Sequence, residues 1–323
     1  MYKNAKPLFL ICETPLHAGS GSDLGIVDLP IQRERHTNFP KIESSSLKGA
    51  LREAFESATG KANDVNFQRS IHQTFGFDEG SKTSADAKKF LGDENTQFAG
   101  CLAFTDARLL LYPVKSLYGV FAWVTCPRVI KKFVSDLDLT DLETGFNTEG
   151  VSENTTPLNC TDLFDPKGKV RLEEYIFSDI RAEQSEGNLS KMAKWLSEKV
   201  FIGYDAYWQE KVKTDIVVLS DIDFRDFVTL TTEVVTRTKI NNETGTVQDG
   251  ALFTEEYLPA ESVMYSMVMF ADEFAKEKAG KIKLYTEGVK TFFQSGLDAN
   301  KNIVQIGGNA TLGKGIVRTK LIS

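Results

Sequence analysis

The side chains best suited to chemistry lie near the start of the chain, in the segment 14–53. Asp28 follows the apolar residues Ile26 and Val27, and His17 lies where a strand-like segment meets a glycine-rich turn. A carboxylate beside a phosphodiester can orient or deprotonate an attacking hydroxyl, or bind a divalent cation that does so. A histidine at such a turn can position a phosphate or shuttle a proton. Together these residues indicate a site that handles phosphate groups.

Each of these residues also has a structural explanation. By residue type alone, Asp28 before a Leu-Pro pair more often caps a turn than catalyses. A lone histidine more often positions a ligand than catalyses, and we prefer a positioning role for His17 and for His36 in the basic loop. Asp23 lies within a Gly-Ser-Asp turn, where a hydrogen bond to that turn explains it sufficiently.

The helix predicted after this loop carries residues that can bind a polyanion. Apolar residues recur at helical spacing over 47–55, and Ser45 or Ser46 can cap the helix. Capping and solvated charge would explain Ser46, Lys48 and Arg52 one by one. Their combination with a glycine that admits close backbone approach favours binding to a phosphodiester chain.

A second candidate phosphate site lies near the end of the chain, in GGNATLGKG at 307–315. Glycine-rich turns can present backbone N–H groups to an anion, so Gly307 and Gly308 are candidate binding residues. Lys314 adds positive charge to the turn. Such turns are common, so this pattern is weak evidence by itself.

The segment 233–259 is predicted to form a protruding hairpin or an irregular loop. Asn-Asn-Glu-Thr-Gly and Gln-Asp-Gly turns lie between β-prone flanks, which is typical of a hairpin. Arg237 and Lys239 place positive charge on one limb. We therefore expect this hairpin to contact an anionic partner.

Composition limits the class of function. The 323 residues are 41% hydrophobic and include 22 phenylalanines, enough for a packed core. The net charge of −7 argues against indiscriminate nucleic-acid binding, which draws on a broad cationic surface, so attraction to a polyanion has to be local. No apolar run reaches the roughly 18 residues of a membrane span, so we expect a cytoplasmic protein without membrane contact. The four cysteines lack metal-binding spacing, which favours reduced thiols.

Strand-like and helix-like segments alternate along the chain. PLFLICET at 7–14 predicts a buried first strand, followed by the long polar loop and the helix. No GxGxxG motif opens a helix after that strand, which favours an α+β fold over a doubly wound one. We expect a single domain over 1–323, with insertions at 59–100 and 138–169.

Four blocks of the opening segment carry a resemblance to a known family. They are TPLHAGSG at 14–21, LGIVD at 24–28, PIQRERHT at 30–37 and SSLKGALR at 45–52. Their order and spacing resemble the repeated backbone subunits of the Cmr effector complex of type III-B CRISPR systems, within the RAMP superfamily of RNA-binding proteins. The resemblance implies a ferredoxin-like, RNA-recognition-motif-like palm with an inserted finger region and a protruding thumb hairpin.

The resemblance also implies roles for individual residues. Family members use the aspartate at the motif position of Asp28 for target-RNA cleavage, and they grip the guide RNA with the helix that carries Lys48. Their thumb wedges into the guide–target duplex, which makes Leu252 and Phe253 candidate wedge residues, although both could instead fold back on the core. Glu255, Tyr257 and His17 are secondary candidates for assisting cleavage, against the alternative of a solvated Glu and a packed Tyr. Asn309-Ala310 replaces a more acidic pair in close relatives, which weakens a carboxylate role at that loop.

The expected function is a guide-RNA-binding backbone subunit that cleaves complementary target RNA at regular intervals. The target's own 2′-hydroxyl would attack, assisted by Asp28 and a divalent metal, Mg²⁺ or Mn²⁺. The expected partners are crRNA, target RNA, other Cmr subunits and further copies of the chain in an open helical filament. Two alternatives are a non-catalytic crRNA-binding scaffold and a RAMP endoribonuclease that processes precursor crRNA.

Overall fold

The computed structural model describes residues 4–22, 25, 27–58, 64–77, 99–273 and 283–322. The strands are β1 (Asn4–Cys12), β2 (Lys41–Ile42), β3 (Leu102–Phe104), β4 (Ala107–Lys115), β5 (Phe121–Thr125), β6 (Thr155–Thr156), β7 (Val170–Leu172), β8 (Tyr175–Phe177), β9 (Arg181–Ala182), β10 (Ile216–Val218), β11 (Glu233–Ile240), β12 (Val247–Tyr257), β13 (Val263–Phe270), β14 (Ile303–Gln305) and β15 (Ile316–Leu321). The helices are α1 (Ser44–Glu56), α2 (Val65–Phe75), α3 (Pro127–Leu137), α4 (Asn188–Trp195), α5 (Ala206–Thr214), α6 (Asp221–Leu230) and α7 (Thr286–Ala299). Within these residues, no helix is both long and apolar enough to cross a membrane.

In the described part of the chain, eleven strands form one mixed sheet. Its main path runs β14-β15-β1-β13-β4-β5-β10-β6-β9, with β2 beside β4 and β3 beside β13. The first strand begins at Asn4 and pairs with β13 on one edge and β15 on the other, and its side chains from Pro7 to Cys12 are buried. The expectation of a mixed α+β fold with a large sheet is confirmed.

Helices cover both faces of the centre of the sheet. On one face, Phe55 of α1 and Phe293 of α7 stack with ring centroids 5.7 Å apart. On the other face, Phe9 of β1 packs against Phe133 of α3 and Trp195 of α4. Because aromatic rings fill both layers, β1 lies at the centre of the core and holds the start of the opening loop firmly.

The predicted helix after the opening loop is present, but the predicted cap is wrong. The N-cap position is Glu43, and no side chain of that residue caps the helix. Instead, the carboxylate of Asp106 accepts a hydrogen bond from the backbone N–H of Ser44 at 2.9 Å. Ser45 and Ser46 therefore lie inside the first turn, with exposed side chains.

The two predicted insertions differ in how much of each is described. In 59–100, helix α2 buries Ile71 and Phe75, while residues 59–63 and 78–98 lie outside the described part. The segment 138–169 is irregular apart from β6, which pairs with β10. Both boundaries stay predictions.

Candidate functional site

The opening loop is joined to the hairpin of β11 and β12 by backbone hydrogen bonds. The N–H of Leu29 donates to the carbonyl of Thr254 at 3.0 Å, and the N–H of Glu256 donates to the carbonyl of Leu29 at 3.0 Å. Leu29 thus pairs in parallel with the C-terminal part of β12, opposite Glu255. This pairing fixes Asp28, the preceding residue, against the hairpin.

The Asp28 carboxylate is held by a single residue, Thr254. Its Oδ2 accepts hydrogen bonds from the backbone N–H of Thr254 at 2.6 Å and from the Thr254 hydroxyl at 2.8 Å. In return, the Asp28 N–H donates to the Thr254 hydroxyl at 3.0 Å. The backbone hydrogen bond first, and then the hydroxyl, lower the pKa of Asp28 below its usual range. Asp28 is therefore an exposed carboxylate that stays ionised at neutral pH, a state suited to orienting a hydroxyl or binding a cation.

Two exposed apolar side chains lie next to Thr254 on the same strand. Leu252 is 65% exposed and Phe253 is 38% exposed. They stand opposite Thr238 and Arg237 of β11, in a two-stranded sheet separate from the large one. Both side chains are exposed, Leu252 more than Phe253, so the alternative that they fold back on the core is wrong.

A buried cluster of polar groups lies on the other face of β12. Successive side chains of a strand point to opposite faces, so Glu255 and Tyr257 face away from Thr254. The Tyr257 hydroxyl donates to Glu255 at 2.5 Å and accepts from Arg237 at 2.6 Å. The amide of Asn309 donates to Glu255 at 2.6 Å and to the Tyr257 hydroxyl at 2.9 Å.

Burial would raise the pKa of Glu255, but the hydrogen bonds from Tyr257 and Asn309 outweigh it and lower that pKa. Burial and the neighbouring Glu255 carboxylate raise the pKa of Tyr257. The alternative of a solvated glutamate is wrong, because Glu255 is 6% exposed, whereas the alternative of a packed tyrosine agrees with the 0% exposure of Tyr257. In this arrangement both residues brace the base of the hairpin.

His17 is enclosed between this cluster and the C-terminal glycine turn. Its Nδ1 donates to the backbone carbonyl of Glu256 at 2.7 Å, and its Nε2 lies 3.8 Å from Glu255. The residue is 8% exposed. The N–H of Gly308 donates to the carbonyl of His17 at 2.9 Å. These contacts fit a positioning role better than direct proton transfer to a substrate.

Gly307 shows why the C-terminal turn needs glycine. Its φ is +80°, and a methyl group there would lie 2.1 Å from the carbonyl oxygen of His17. Close approach of two backbones therefore accounts for this glycine, whether or not the turn also binds phosphate. Lys314, at the end of the turn, places its ammonium 4.9 Å from the centre of the Tyr257 ring, a cation–π distance.

The two candidate cations of α1, Arg52 and Lys48, differ in how strongly they are bonded within the fold. Arg52 donates to Glu56 and to the carbonyl of Gly76 at 2.8 and 2.9 Å, so it braces the end of α2. Lys48 reaches the carbonyl of Leu102 at 3.4 Å, and burial, then repulsion from Arg52, lowers its pKa.

Other predicted binding groups stay accessible. Ser46 is exposed, and its hydroxyl accepts a hydrogen bond from the Gln32 amide at 3.3 Å. Lys239 is exposed on β11, two residues beyond Arg237. His36 is exposed in the basic loop, 3.8 Å from Glu34.

The potential metal ligands around Asp28 do not form a complete cation site by themselves. Among the described residues, no three His, Cys, Asp or Glu side chains converge where they could hold a metal. Mg²⁺ is commonly held by one or two carboxylates together with substrate phosphates and water. Asp28 fits such a shared site as one ligand, since both of its hydrogen bonds from Thr254 go to one oxygen.

Sequence reasoning missed three residues that organise the site: Thr254, Glu256 and Asn309. Thr254 gave no signal, since threonine is ordinary in a strand. Glu256 accepts from Arg33 at 2.5 Å and from the N–H of Ile31 at 3.0 Å, so it anchors the opening loop. Asn309 has φ of +62°, and the tolerance of asparagine for this conformation in a glycine-rich turn was the available clue.

Comparisons with known proteins agree on one family. A family model described as the RAMP superfamily matches residues 9–318. The chain is 35% identical to the CRISPR system Cmr endoribonuclease Cmr4 of Pyrococcus furiosus. The alignment extends over 315 residues, which are 95% of this chain and 92% of that protein.

Solved structures agree with the sequence comparison. The crystal structure of oligomeric Cmr4 from Pyrococcus furiosus is similar at 28% identity with a TM-score of 0.65, over 98% of this chain and 97% of that one. A cryo-EM structure of the Type III-B Cmr-beta bound to cognate target RNA contains a chain of similar fold, at 24% identity and a TM-score of 0.68, over 99% of this chain and 98% of that one.

Proposed function

The chain belongs to the RAMP superfamily, and on that premise we propose that it is a crRNA-binding backbone subunit of a type III-B CRISPR effector complex that cleaves complementary target RNA at regular intervals. Its similarity to an endoribonuclease over nearly the whole length of both chains supports the enzymatic part. The proposed partners are crRNA, target RNA, other Cmr subunits and further copies of the chain. Similarity to an oligomeric relative supports the last of these.

One observation carries the proposal: an ionised carboxylate is fixed beside an exposed apolar hairpin. Asp28 is bonded to Thr254, one residue from Phe253 and two from the exposed Leu252. Apolar side chains inserted between base steps unstack a duplex locally. A phosphodiester freed in this way can reach in-line geometry, with the 2′-hydroxyl aligned by Asp28. The hairpin would then set the position of the cut and Asp28 would promote it.

The lowered pKa of Asp28 bears on its role. A general base works best when its pKa lies near the operating pH, and this carboxylate lies well below it. Orienting the hydroxyl, or holding Mg²⁺ or Mn²⁺ jointly with RNA phosphates, suits it better. When bound, such a cation would neutralise charge that develops on the phosphate.

RNA gripping is proposed for cationic and polar groups on β11, α1 and the C-terminal turn. Lys239 on β11 and Ser46 at the start of α1 are exposed, whereas Arg237, Lys48 and Lys314 are half-buried. Gly307 and Gly308 lie in the turn that Lys314 closes. Arg52 and Arg237 are the weakest candidates, since the first already bonds Glu56 and Gly76 and the second already bonds Tyr257 and Glu255.

We further propose that the centre of the sheet is a ferredoxin-like palm and that β11 and β12 form a thumb. The adjacent order β15-β1-β13-β4, antiparallel throughout, supports this, since α1 follows β1 and α7 precedes β15. Head-to-tail packing of such units would give an open helical filament along the guide RNA.

The two alternatives make different demands on the chain. A scaffold needs the RNA-gripping residues but has no use for a fixed, ionised Asp28. An endoribonuclease that processes precursor crRNA with a catalytic histidine needs an accessible histidine at the candidate site. His17 is enclosed by Glu256, Glu255 and the glycine turn, and the exposed His36 lies beside Glu34 instead. The target-cleaving function therefore fits the geometry best.

The test uses guide-loaded complex and end-labelled complementary RNA on a denaturing gel. We expect native complex to give a regular ladder of products that requires divalent cation. Asp28→Ala and Asp28→Asn should abolish the ladder while target binding in a gel-shift assay is retained. A ladder that survives both substitutions would assign catalysis to another group, and no ladder from native complex would leave the chain as a scaffold.

A further inference from the structure

A cavity of about 480 Å³ lies away from Asp28, between the loop 33–40, β4 and α3. Its volume falls within the roughly 300–1,000 Å³ typical of small-ligand pockets. Apolar side chains that are themselves largely buried contribute to its lining: Phe39, Pro40, Leu109, Val129 and Tyr265. The lining thus offers flat apolar surface at the bottom of an open depression.

Two unpaired cations lie at this cavity. Arg128 and Lys131 line it and are exposed, and neither side chain forms an ion pair within the described residues. They are three positions apart on α3, so they lie on neighbouring parts of one helix face. By contrast, the two other lining cations are neutralised, Arg108 by Glu34 at 3.0 Å and Lys132 by Asp136.

The N-terminus of α3 is not itself an anion site. The N–H of Arg128 donates to the carboxylate of Asp221 at 3.1 Å, and Pro127 has no N–H to offer. An anion at this cavity would therefore be held by the side chains of Arg128 and Lys131. In a chain of net charge −7, two unopposed cations beside a flat apolar surface suit a ligand that combines a phosphate with an aromatic ring.

The cavity is within reach of a strand bound at Asp28. Glu34, which lines it, is six residues after Asp28, so the backbone between them spans at most about 22 Å. The intervening residues are held in place, since Ile31 and Arg33 both bond Glu256. A single strand a few nucleotides longer than the reacting dinucleotide would extend over this distance.

We propose that this cavity is a second RNA-contact site, in which one nucleotide of the bound RNA places its base against the apolar lining and its phosphate between Arg128 and Lys131. The inference rests on the proposed RNA-binding function and adds a contact that does not involve Asp28, the hairpin or the C-terminal turn. Stacking of a base on apolar or aromatic surface is tolerant of sequence, so the site would add affinity and leave sequence choice to base pairing.

The test measures RNA binding by the full chain and needs no cleavage. Labelled single-stranded RNA is titrated by fluorescence anisotropy at several salt concentrations, with native chain and with Arg128→Ala/Lys131→Ala. Each lost phosphate contact lowers the slope of log K against log salt by about 0.7 for a single strand, so losing the one phosphate held between Arg128 and Lys131 should lower it by about 0.7. The matched control is Lys191→Ala/Lys199→Ala, which removes two exposed lysines elsewhere and should leave the slope unchanged.

A second readout locates the contact. RNA containing 4-thiouridine is crosslinked to native chain, and we expect crosslinked peptides from 33–40 or 128–132. An unchanged slope in the double variant, or crosslinks confined to other segments, would overturn the inference while leaving the function of Asp28 standing. A double variant that alters oligomeric state but not RNA affinity would assign the cavity to a protein segment and also overturn it. A native chain that binds no RNA would contradict the proposed function itself.

Discussion

Replacing Gly307 by alanine tests whether the C-terminal turn is built for close packing on His17. Gly307 has φ of +80°, and the added methyl would lie 2.1 Å from the His17 carbonyl oxygen. A carbonyl of the backbone cannot rotate away as a flexible side chain can, so the turn has to move. That movement would stretch the hydrogen bond from Gly308 to His17 and displace the Asn309 amide from Glu255.

The expected cost has three parts. A left-handed backbone costs an L-residue about 1–2 kcal/mol. Overpacking typically adds about 1–3 kcal/mol, and a weakened hydrogen bond about 1 kcal/mol. We therefore expect Gly307→Ala to lower the free energy of unfolding by about 3–6 kcal/mol.

The matched control is Gly313→Ala in the same turn. Gly313 has φ of +71°, but nothing lies within 4 Å of the position that a methyl would occupy. It therefore carries only the conformational cost of about 1–2 kcal/mol. Urea denaturation of both variants and the native chain gives the difference between them, and we expect Gly313→Ala to be the more stable by about 2–4 kcal/mol. Equal losses in the two variants would refute the close-packing explanation of Gly307.

Three further predictions concern the opening loop and the hairpin. Because the pKa of Asp28 is lowered, the active carboxylate is fully present above its ordinary pKa and is lost only as pH falls below that range. Cleavage rates measured from pH 5 to 8 should therefore show no loss from Asp28 protonation, and a decline with a midpoint at about pH 6, with target binding unchanged in a gel-shift assay, would contradict this. Leu252→Ala should leave the free energy of unfolding within about 0.5 kcal/mol of the native value, since the side chain is 65% exposed. The same substitution should slow cleavage of duplexed target RNA. Unchanged cleavage would reject the role of Leu252 as a wedge in the duplex. Tyr257→Phe removes a donor from buried Glu255 and should cost about 2 kcal/mol of unfolding free energy near neutral pH. Because the pKa of Glu255 is lowered in the folded chain, this loss should shrink only as pH falls through that lowered pKa.

Local pattern was sufficient to predict the elements that carry the site. An apolar run of strand length indicated the first strand, turn residues between β-prone flanks indicated the hairpin of 233–259, and helical spacing indicated α1. The order and spacing of four blocks in the opening segment indicated the family that the comparisons then showed. These features depend on neighbours in sequence, since periodicity and turn chemistry act over a few residues.

The partners of the site residues could not be predicted in this way. Thr254, which holds Asp28, is 226 residues away in sequence, and Asn309, which bonds Glu255, is 54 residues away. The prediction of the α1 cap was wrong for the same reason, since the carboxylate that accepts from the N–H of Ser44 belongs to Asp106, 62 residues away. Such pairs are decided by strand order and by the pairing of Leu29 with β12, which a local pattern does not encode.

The sequence by itself determined which residue types are available for phosphate chemistry and on which elements they lie. Only the tertiary structure decided which of them are free to act. Arg52 is committed to Gly76, and His17 is enclosed by the glycine turn, whereas Asp28 stays exposed. The physical reason is that packing and hydrogen bonding between distant segments set the accessibility and the protonation state of each group, and both follow from the folded arrangement of the whole chain.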